Sequence, residues 1–186
     1  MNAHSTPIAK VDFLKIVRTE KQHFEWACKQ KNVRLKMRLN DNLPSTKGDD
    51  DELAQVVRNL LGNAIKYTNT DTEILVTVKL TSNLPSDPNF RNLTRAICFS
   101  VQDHGEGIPK EHIPPLTERF YRVDTARTRT VGGTGLGLSI VKHVLNRHHG
   151  ALVIESELGE GSIFSAYLPV YEDITPSQPY SDKKEL

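Results

Sequence analysis

Four glycines within the seven residues Gly132-Gly133-Thr134-Gly135-Leu136-Gly137-Leu138 run directly into the apolar helical pattern Leu136, Ile140, Val144. Glycine takes positive φ without steric cost and lets the main chain come close to another group. A helix that starts there exposes unpaired N–H groups and the positive end of its dipole, which suits an anion such as phosphate. The same stretch serves equally as a hinge, so its meaning depends on the residues that accompany it. Two phosphate-binding loops are excluded. The Walker loop needs Lys and then Ser or Thr after its last glycine, where Leu138-Ser139 stands. The dinucleotide fingerprint needs a third glycine at Leu138, and no strand pattern leads into the loop.

The chain of 186 residues is long enough for one domain with a real core, and α/β is the natural class. Lys plus Arg (24) nearly balance Asp plus Glu (23), so no overall field draws the chain to nucleic acid or to an anionic membrane. Neither is expected as a partner. Cys28 and Cys98 form no CxxC pair and lie in apolar patterns, which fits buried free thiols in a reducing compartment such as the cytoplasm. No apolar run approaches the roughly 18 residues of a membrane span. The chain is expected to be soluble, within a parent that can carry a membrane anchor.

Periodicity orders the elements. Phe13, Ile16, Val17, Phe24, Ala27 and Cys28 predict an amphipathic helix over roughly residues 9 to 31. Val33, Leu35, Met37 and Leu39 alternate with polar residues as a strand, ended by Asn42-Leu43-Pro44. Asp49, with Glu52 three residues on, resembles a capping box before the apolar series Leu53 to Ile65, a helix that should stop near Tyr67. Ile74–Leu80 and Arg95–Gln102 read as a strand pair joined by a long exposed tip, Ser82–Thr94. Residues 104–134 hold Gly, Pro and charge with little periodicity, as a functional lid would. A helix from about Leu136 to His149 and two closing strands around Gly159-Glu160-Gly161 complete the domain. Residues 1–8 are read as a short leader, 9–170 as the domain and 171–186 as a polar, disordered tail.

On the second helix Asn59, Asn63 and Lys66 share one stripe. A carboxamide oxygen can ligate Mg²⁺ beside a phosphate and Lys66 can supply charge; the same stripe also reads as a solvated helix edge. Asp103 ends an apolar strand and is followed by Gly105, Gly107 and Ile108. A buried carboxylate needs a donor, and an adenine amino group is one, with the glycines letting the flat ring lie against the backbone. A plain strand-to-turn Asp is the alternative.

These residues carry a resemblance. Asn59-Leu60-Leu61-Gly62-Asn63-Ala64-Ile65-Lys66-Tyr67-Thr68 is similar to the N box of sensor histidine kinases, Asp103-His104-Gly105-Glu106-Gly107-Ile108 to their G1 box, and Glu118-Arg119-Phe120-Tyr121-Arg122-Val123-Asp124 to their F box. Gly133-Thr134-Gly135-Leu136-Gly137-Leu138 resembles the G2 box, and Gly159-Glu160-Gly161-Ser162 with Phe164 the last glycine motif. The boxes occur in the family's order over about residues 9 to 169. The resemblance implies the Bergerat-type fold of the superfamily shared with DNA gyrase and heat-shock chaperone ATPases: a two-layer sandwich of a mixed β-sheet covered on one face by three helices. It implies ATP and Mg²⁺ as ligands, Asn63 as the metal ligand, and Asn59, Lys66 and Tyr67 near phosphates and ribose. Asp103 would bind the adenine amino group, Gly105, Gly107 and Ile108 would shape the base pocket, and Phe120 and Tyr121 would anchor the lid. The amides from Gly133 through Thr134, Gly135, Leu136 and Gly137 to Leu138 would cradle the phosphates. Arg122, Arg127 and Arg129 lie in the lid, where they either steady the γ-phosphate, Arg122 first among them, or are simply solvated.

The chain departs from the family in two ways. Leu116-Thr117 stands where relatives often carry a lid Phe, leaving Phe120 and Tyr121 as the aromatic anchors. The phosphoacceptor motif, a His followed by an acidic residue on a dimerising helical hairpin, is missing: His4, His23, His104, His112, His143, His148 and His149 are followed by no such pattern. For the last three, favourable contact with a helix C-terminus is the simplest account. The implied function is phosphoryl transfer to a histidine on a helical domain outside these residues, with relay to a response-regulator receiver domain. A pseudokinase binding module and an anti-sigma serine kinase are the alternatives.

Overall fold

Asp12 divides the first expected helix. Its side chain accepts the Lys15 N–H at 3.1 Å and starts α1 (Phe13–Gln30), while the three residues before it form strand β1 (Ala9–Val11). This corrects the expected helix start near residue 9: Ala9–Val11 pairs antiparallel with β3 (Thr46–Gly48), a strand too short to show any alternation in sequence. The computed structural model describes residues 9–123 and 134–171.

The main sheet contains β2 (Arg34–Leu39), β4 (Glu73–Thr81), β5 (Ala96–Gln102), β6 (Ala151–Glu157) and β7 (Gly161–Pro169), in the order β2-β4-β5-β7-β6. β2 runs parallel to β4 and the other pairs are antiparallel, so the sheet is mixed. The parallel pair follows from the crossover between them, which contains α2 (Asp50–Tyr67); a hairpin could not make it. Together with α1 and α3 (Gly137–Arg147), α2 covers one face of the sheet. Alternation aims Ile74, Val76 and Val78 of β4, Ile97, Phe99 and Val101 of β5 and Ala166 and Leu168 of β7 into that core. From α2, Leu53, Val56, Val57, Leu60 and Leu61 meet them, all fully buried, and Phe13 of α1 packs edge-on against Phe99 at 5.6 Å. Truncating any one of these Leu side chains would cost about 2–5 kcal/mol.

The 82–95 connection is not simply an exposed tip. Phe90 is buried, edge-on to Tyr167 at 6.3 Å, and with Ala96 and Ala151 it makes a small second core. Cys28 and Cys98 are buried free thiols, both with pKa raised, chiefly by burial. Val170 bridges to Thr46, and Tyr171 continues the contact by donating its N–H to the Ser45 carbonyl at 2.8 Å. No helix among the described residues is long and apolar enough to cross a membrane.

The capping box at α2 forms only in part. Asp49 accepts the Glu52 N–H at 2.9 Å as expected. The Asp49 N–H, which Glu52 would satisfy in a full box, donates instead to His148 Nε2 at 3.1 Å. His148 is therefore not a helix-end cation. It is buried, and burial, the largest influence on it, holds its pKa below the ordinary histidine value. His143 and His149 are exposed.

Candidate functional site

A cavity of about 310 Å³ opens between α2, the end of β5, the segment after it and the start of α3. Helical periodicity puts Asn59, Asn63, Lys66 and Tyr67 of α2 on its wall. Asn59 donates its Nδ2 hydrogen to the Gln55 carbonyl at 2.9 Å, which turns its Oδ1 toward Gly137 of α3. A Cβ on Gly137 would sit 3.1 Å from that oxygen and 4.0 Å from Asn63 Nδ2, so glycine keeps the gap between the two helices open. Lys66 Nζ lies over the Tyr67 ring at 4.8 Å, a cation–π contact that holds the ammonium at the cavity edge.

Asp103, 3 % exposed, is placed by the sheet itself: its N–H extends the β5–β7 ladder to Ser162 O at 2.9 Å. Its Oδ1 accepts the Gly105 N–H at 2.8 Å. Desolvation raises the carboxyl pKa above the ordinary aspartate value, against the pull of the Gly105 and Ser162 N–H groups, His104 and Lys31. A carboxylate kept in that setting has a strong tendency to take a further donor from whatever fills the cavity.

The glycines around Asp103 are needed for contact between backbones. A Cβ on Gly105 would lie 2.5 Å from the Tyr67 carbonyl oxygen, on Gly107 2.0 Å from that of Glu157, and on Gly161 2.2 Å from that of Asp103. Gly107 and Gly161 also have positive φ, +73° and +107°. Three distant segments thus interlock at one end of the cavity. His104 N–H to Thr68 Oγ1 (3.2 Å) and Asn69 N–H to His104 O (3.2 Å) fasten the same junction. Ile108 lines the cavity and donates its N–H to Ser156 Oγ at 2.8 Å.

At the other end stand Thr134, Gly135, Gly137 and Leu138. No side chain caps α3, whose N-cap position is Leu136, so its first N–H groups keep their capacity for an anion. Gly135, at φ +70°, packs on the backbone of Phe120 and Tyr121 and accepts the Phe120 N–H at 3.1 Å. Leu116, Tyr121, Arg122 and Val123 close this side, with Tyr121 Oη 2.5 Å from His112 Nδ1.

Of the residues singled out in the sequence, the structure therefore brings together Asn59, Asn63, Lys66, Tyr67, Asp103, Gly105, Gly107, Ile108, Tyr121, Arg122, Thr134, Gly135, Gly137 and Leu138. Leu136 caps the helix outside the cavity lining, and Phe120, 71 % exposed at φ +64°, faces away from it. Gly133, Arg127 and Arg129 lie outside the described residues. Glu106, Leu116, Val123, Ser162 and Phe164 also line the cavity. All five carried a sequence signal, Glu106 in the G1-like motif, Val123 in the F-box-like motif, Ser162 and Phe164 in the last glycine motif and Leu116 at the lid position where relatives often carry Phe, but none was singled out as a ligand contact.

The sequence matches the family of histidine kinase-, DNA gyrase B- and HSP90-like ATPases over residues 48–172. It is 46% identical over 121 residues to the phosphate regulon sensor protein PhoR of Pseudomonas aeruginosa, covering 65% of this chain and 25% of the relative. To drug sensory protein A of Synechocystis it is 35% identical over 170 residues, covering 88% of this chain and 24% of the relative. Among solved structures, full-length ShkA in complex with AMPPNP superposes with a TM-score of 0.71 at 26% identity, over 90% of this chain and 32% of that one. The catalytic domain of histidine kinase ThkA shares the fold, with a TM-score of 0.70 at 23% identity, over 89% of this chain and 98% of that one. The chain belongs to this ATPase family, as an ATP-binding domain of the sensor histidine kinase kind. It spans about a quarter of the length of the PhoR proteins of P. aeruginosa and Haemophilus influenzae, at 25% and 26%.

Proposed function

We propose that this chain binds ATP with Mg²⁺ and positions the γ-phosphoryl group for in-line transfer to a histidine on a dimerising helical domain of the same parent protein. The phosphoryl group then passes to an aspartate of a response-regulator receiver domain. The observation that carries the reading is one cavity with a desolvated carboxylate, Asp103, at one end and an uncapped helix start beside two carboxamides, Asn59 and Asn63, at the other. An adenine amino group would give Asp103 a further donor beside the Gly105 N–H, and a polyphosphate suits the N–H groups of Gly137 and Leu138.

In this reading residues 9–170 are the catalytic unit, with a lid at about 104–134, and the unit works in the cytoplasm. Asn63 would hold Mg²⁺ through its neutral carboxamide oxygen, and the ion would neutralise charge on the phosphate oxygens. Lys66 adds positive charge on the same wall, Asn59 orients the polyphosphate, and Tyr67 and Tyr121 bound the ribose. Arg122 meets the charge that develops as the bond from the γ-phosphorus to the bridging oxygen breaks and the bond to the acceptor nitrogen forms. Most of the rate then comes from positioning and electrostatics.

The test is to mix the chain with the acceptor-bearing helical hairpin of its parent and γ-labelled ATP·Mg²⁺. Acid-labile, alkali-stable label on the hairpin, and almost none on the chain alone, is expected. Robust phosphohistidine on the isolated chain, or nucleotide binding with no transfer to the hairpin, contradicts the reading.

A further inference from the structure

His148 does not line the cavity, yet its ring ties together the two helices that form the cavity walls. It follows α3, whose first turn holds Gly137 and Leu138, and its far nitrogen reaches the start of α2, which carries Asn59 and Asn63. His148 is 3 % exposed, and its ring has a backbone partner at each nitrogen: Nδ1 is 2.8 Å from the Val144 carbonyl and Nε2 is 3.1 Å from the Asp49 N–H. A carbonyl only accepts and an N–H only donates. The two contacts therefore define the neutral ring with its hydrogen on Nδ1 and its lone pair on Nε2.

The fit around the ring is close. A Cβ on Gly48, the residue before Asp49, would sit 2.9 Å from His148 Cδ2 and 2.7 Å from Leu53 Cδ1. The charged groups facing the ring come from both helices: Asp49 and Glu52 of α2, with Glu52 Oε2 3.7 Å from Nδ1, and Arg147 of α3, whose Nε is 3.4 Å from the same carboxylate oxygen. Glu52, freed from the reciprocal half of the capping box, turns to the α3 end. His148 takes its place.

We propose that His148 is a positioning residue for nucleotide binding: by accepting the Asp49 N–H while donating to Val144, its neutral imidazole sets the distance and angle between the carboxamide-bearing helix and the phosphate-facing helix. This rests on the ATP-binding reading of the cavity. A protonated ring would turn an N–H toward the Asp49 N–H, two donors with no acceptor between them, so the tie holds only while the imidazole is neutral. Burial favours that form, and Arg147 acts in the same direction against Glu52, Asp49 and the Val144 carbonyl. The sign follows. The folded ring binds fewer protons than the unfolded one, so its contribution is fully present above the unfolded value near 6.5 and is lost as pH falls through the lower folded value.

The experiment measures binding of a non-hydrolysable ATP analogue with Mg²⁺, by calorimetry from pH 5.0 to 8.0, to the wild-type chain, His148→Leu and His148→Gln. Folding is checked by circular dichroism at the measuring temperature. Glutamine can present Oε1 to Asp49 yet does not titrate. His148→Leu is expected to bind about tenfold more weakly at pH 7.5, while His148→Gln recovers most of the affinity. On acidification the wild type should lose affinity more steeply than His148→Gln, and because Asp103 is common to both, the difference between the two profiles isolates the imidazole. Equal affinities for all three chains at pH 7.5, or parallel wild-type and His148→Gln profiles, would overturn the inference. Failure of the wild type to bind at any pH would instead sink the ATP reading beneath it.

Discussion

The two ends of the cavity are built by different means. Around Asp103 the structure is backbone on backbone: Gly105 against Tyr67, Gly107 against Glu157, and Gly161 against Asp103 itself, all at distances that no Cβ could share. Around α3 it is one glycine, Gly135, resting on the Phe120–Tyr121 backbone, an uncapped helix start, and side chains such as Tyr121 and Arg122. The carboxylate end is thus continuous with the sheet, and disturbing it disturbs folding. The α3 end is assembled between separate elements and can be altered while the core stays intact. In the proposed reading, selectivity for the base would belong to the end that is built into the sheet, and adjustment to the phosphates to the end assembled from separate elements.

The sharpest break in that contrast would come from Gly107→Ala. Its Cβ would fall 2.0 Å from the Glu157 carbonyl oxygen at a φ of +73°, so the 105–107 segment must move off the β6–β7 turn. A loss of about 3 kcal/mol or more in urea unfolding is expected. A variant within about 0.5 kcal/mol of wild type would show that this end is not interlocked.

Asp103→Asn separates stability from binding. Asparagine keeps an oxygen for the Gly105 N–H but offers an NH₂ where an adenine amino group also donates, so affinity for both adenosine and ATP should fall about 30- to 100-fold. The fold should be as stable as before or more so. Because the folded carboxyl pKa is raised, the native state binds more protons than the unfolded chain between the two values, and ionising Asp103 at neutral pH costs stability. That cost is absent below the unfolded value and sets in as pH rises through the folded one. Acidification should therefore relieve the strain on folding while weakening base binding in the wild type. Adenosine affinity unchanged by the substitution would mean that the base does not sit at Asp103.

The smallest of the three effects is expected from Gly135→Ala, whose Cβ would meet Phe120 Cα at 2.9 Å with φ at +70°. The strain of roughly 1–2 kcal/mol can be relieved by a shift of the neighbouring loop. ATP should bind about tenfold more weakly and adenosine almost unchanged. Equal losses for both ligands would erase the distinction between the two ends.

The elements that could be read from residue order are those whose signal is local. The alternation in β4 and β5 and the apolar stripe of α2 each repeat over several residues, and their burial follows the pattern. The five motifs around the cavity were legible together, from their order along the chain, and three of them hold glycines that the structure presses against other backbone, Gly105 and Gly107, Gly135, and Gly161. What escaped was decided by partners far away in sequence. Ala9–Val11 joined a strand because Thr46–Gly48 lies beside it, Phe90 found a small core on Tyr167, and Phe120 stands exposed with its N–H bonded to the Gly135 carbonyl. Leu116, visible in the sequence only as a departure in the lid, entered the cavity wall.

His148 marks the boundary between the two kinds of information. Helical spacing for α2 and α3 and the apolar strand before Asp103, which depend on neighbours within a few residues, suffice to locate both helices and the acid at the end of β5. Whether a histidine at a helix end is a solvated cation or a neutral tie depends on what the chain brings to its second nitrogen, here an N–H 99 residues earlier. Local preferences are written residue by residue, whereas desolvation and long-range hydrogen-bond partners exist only once the layers have closed on one another.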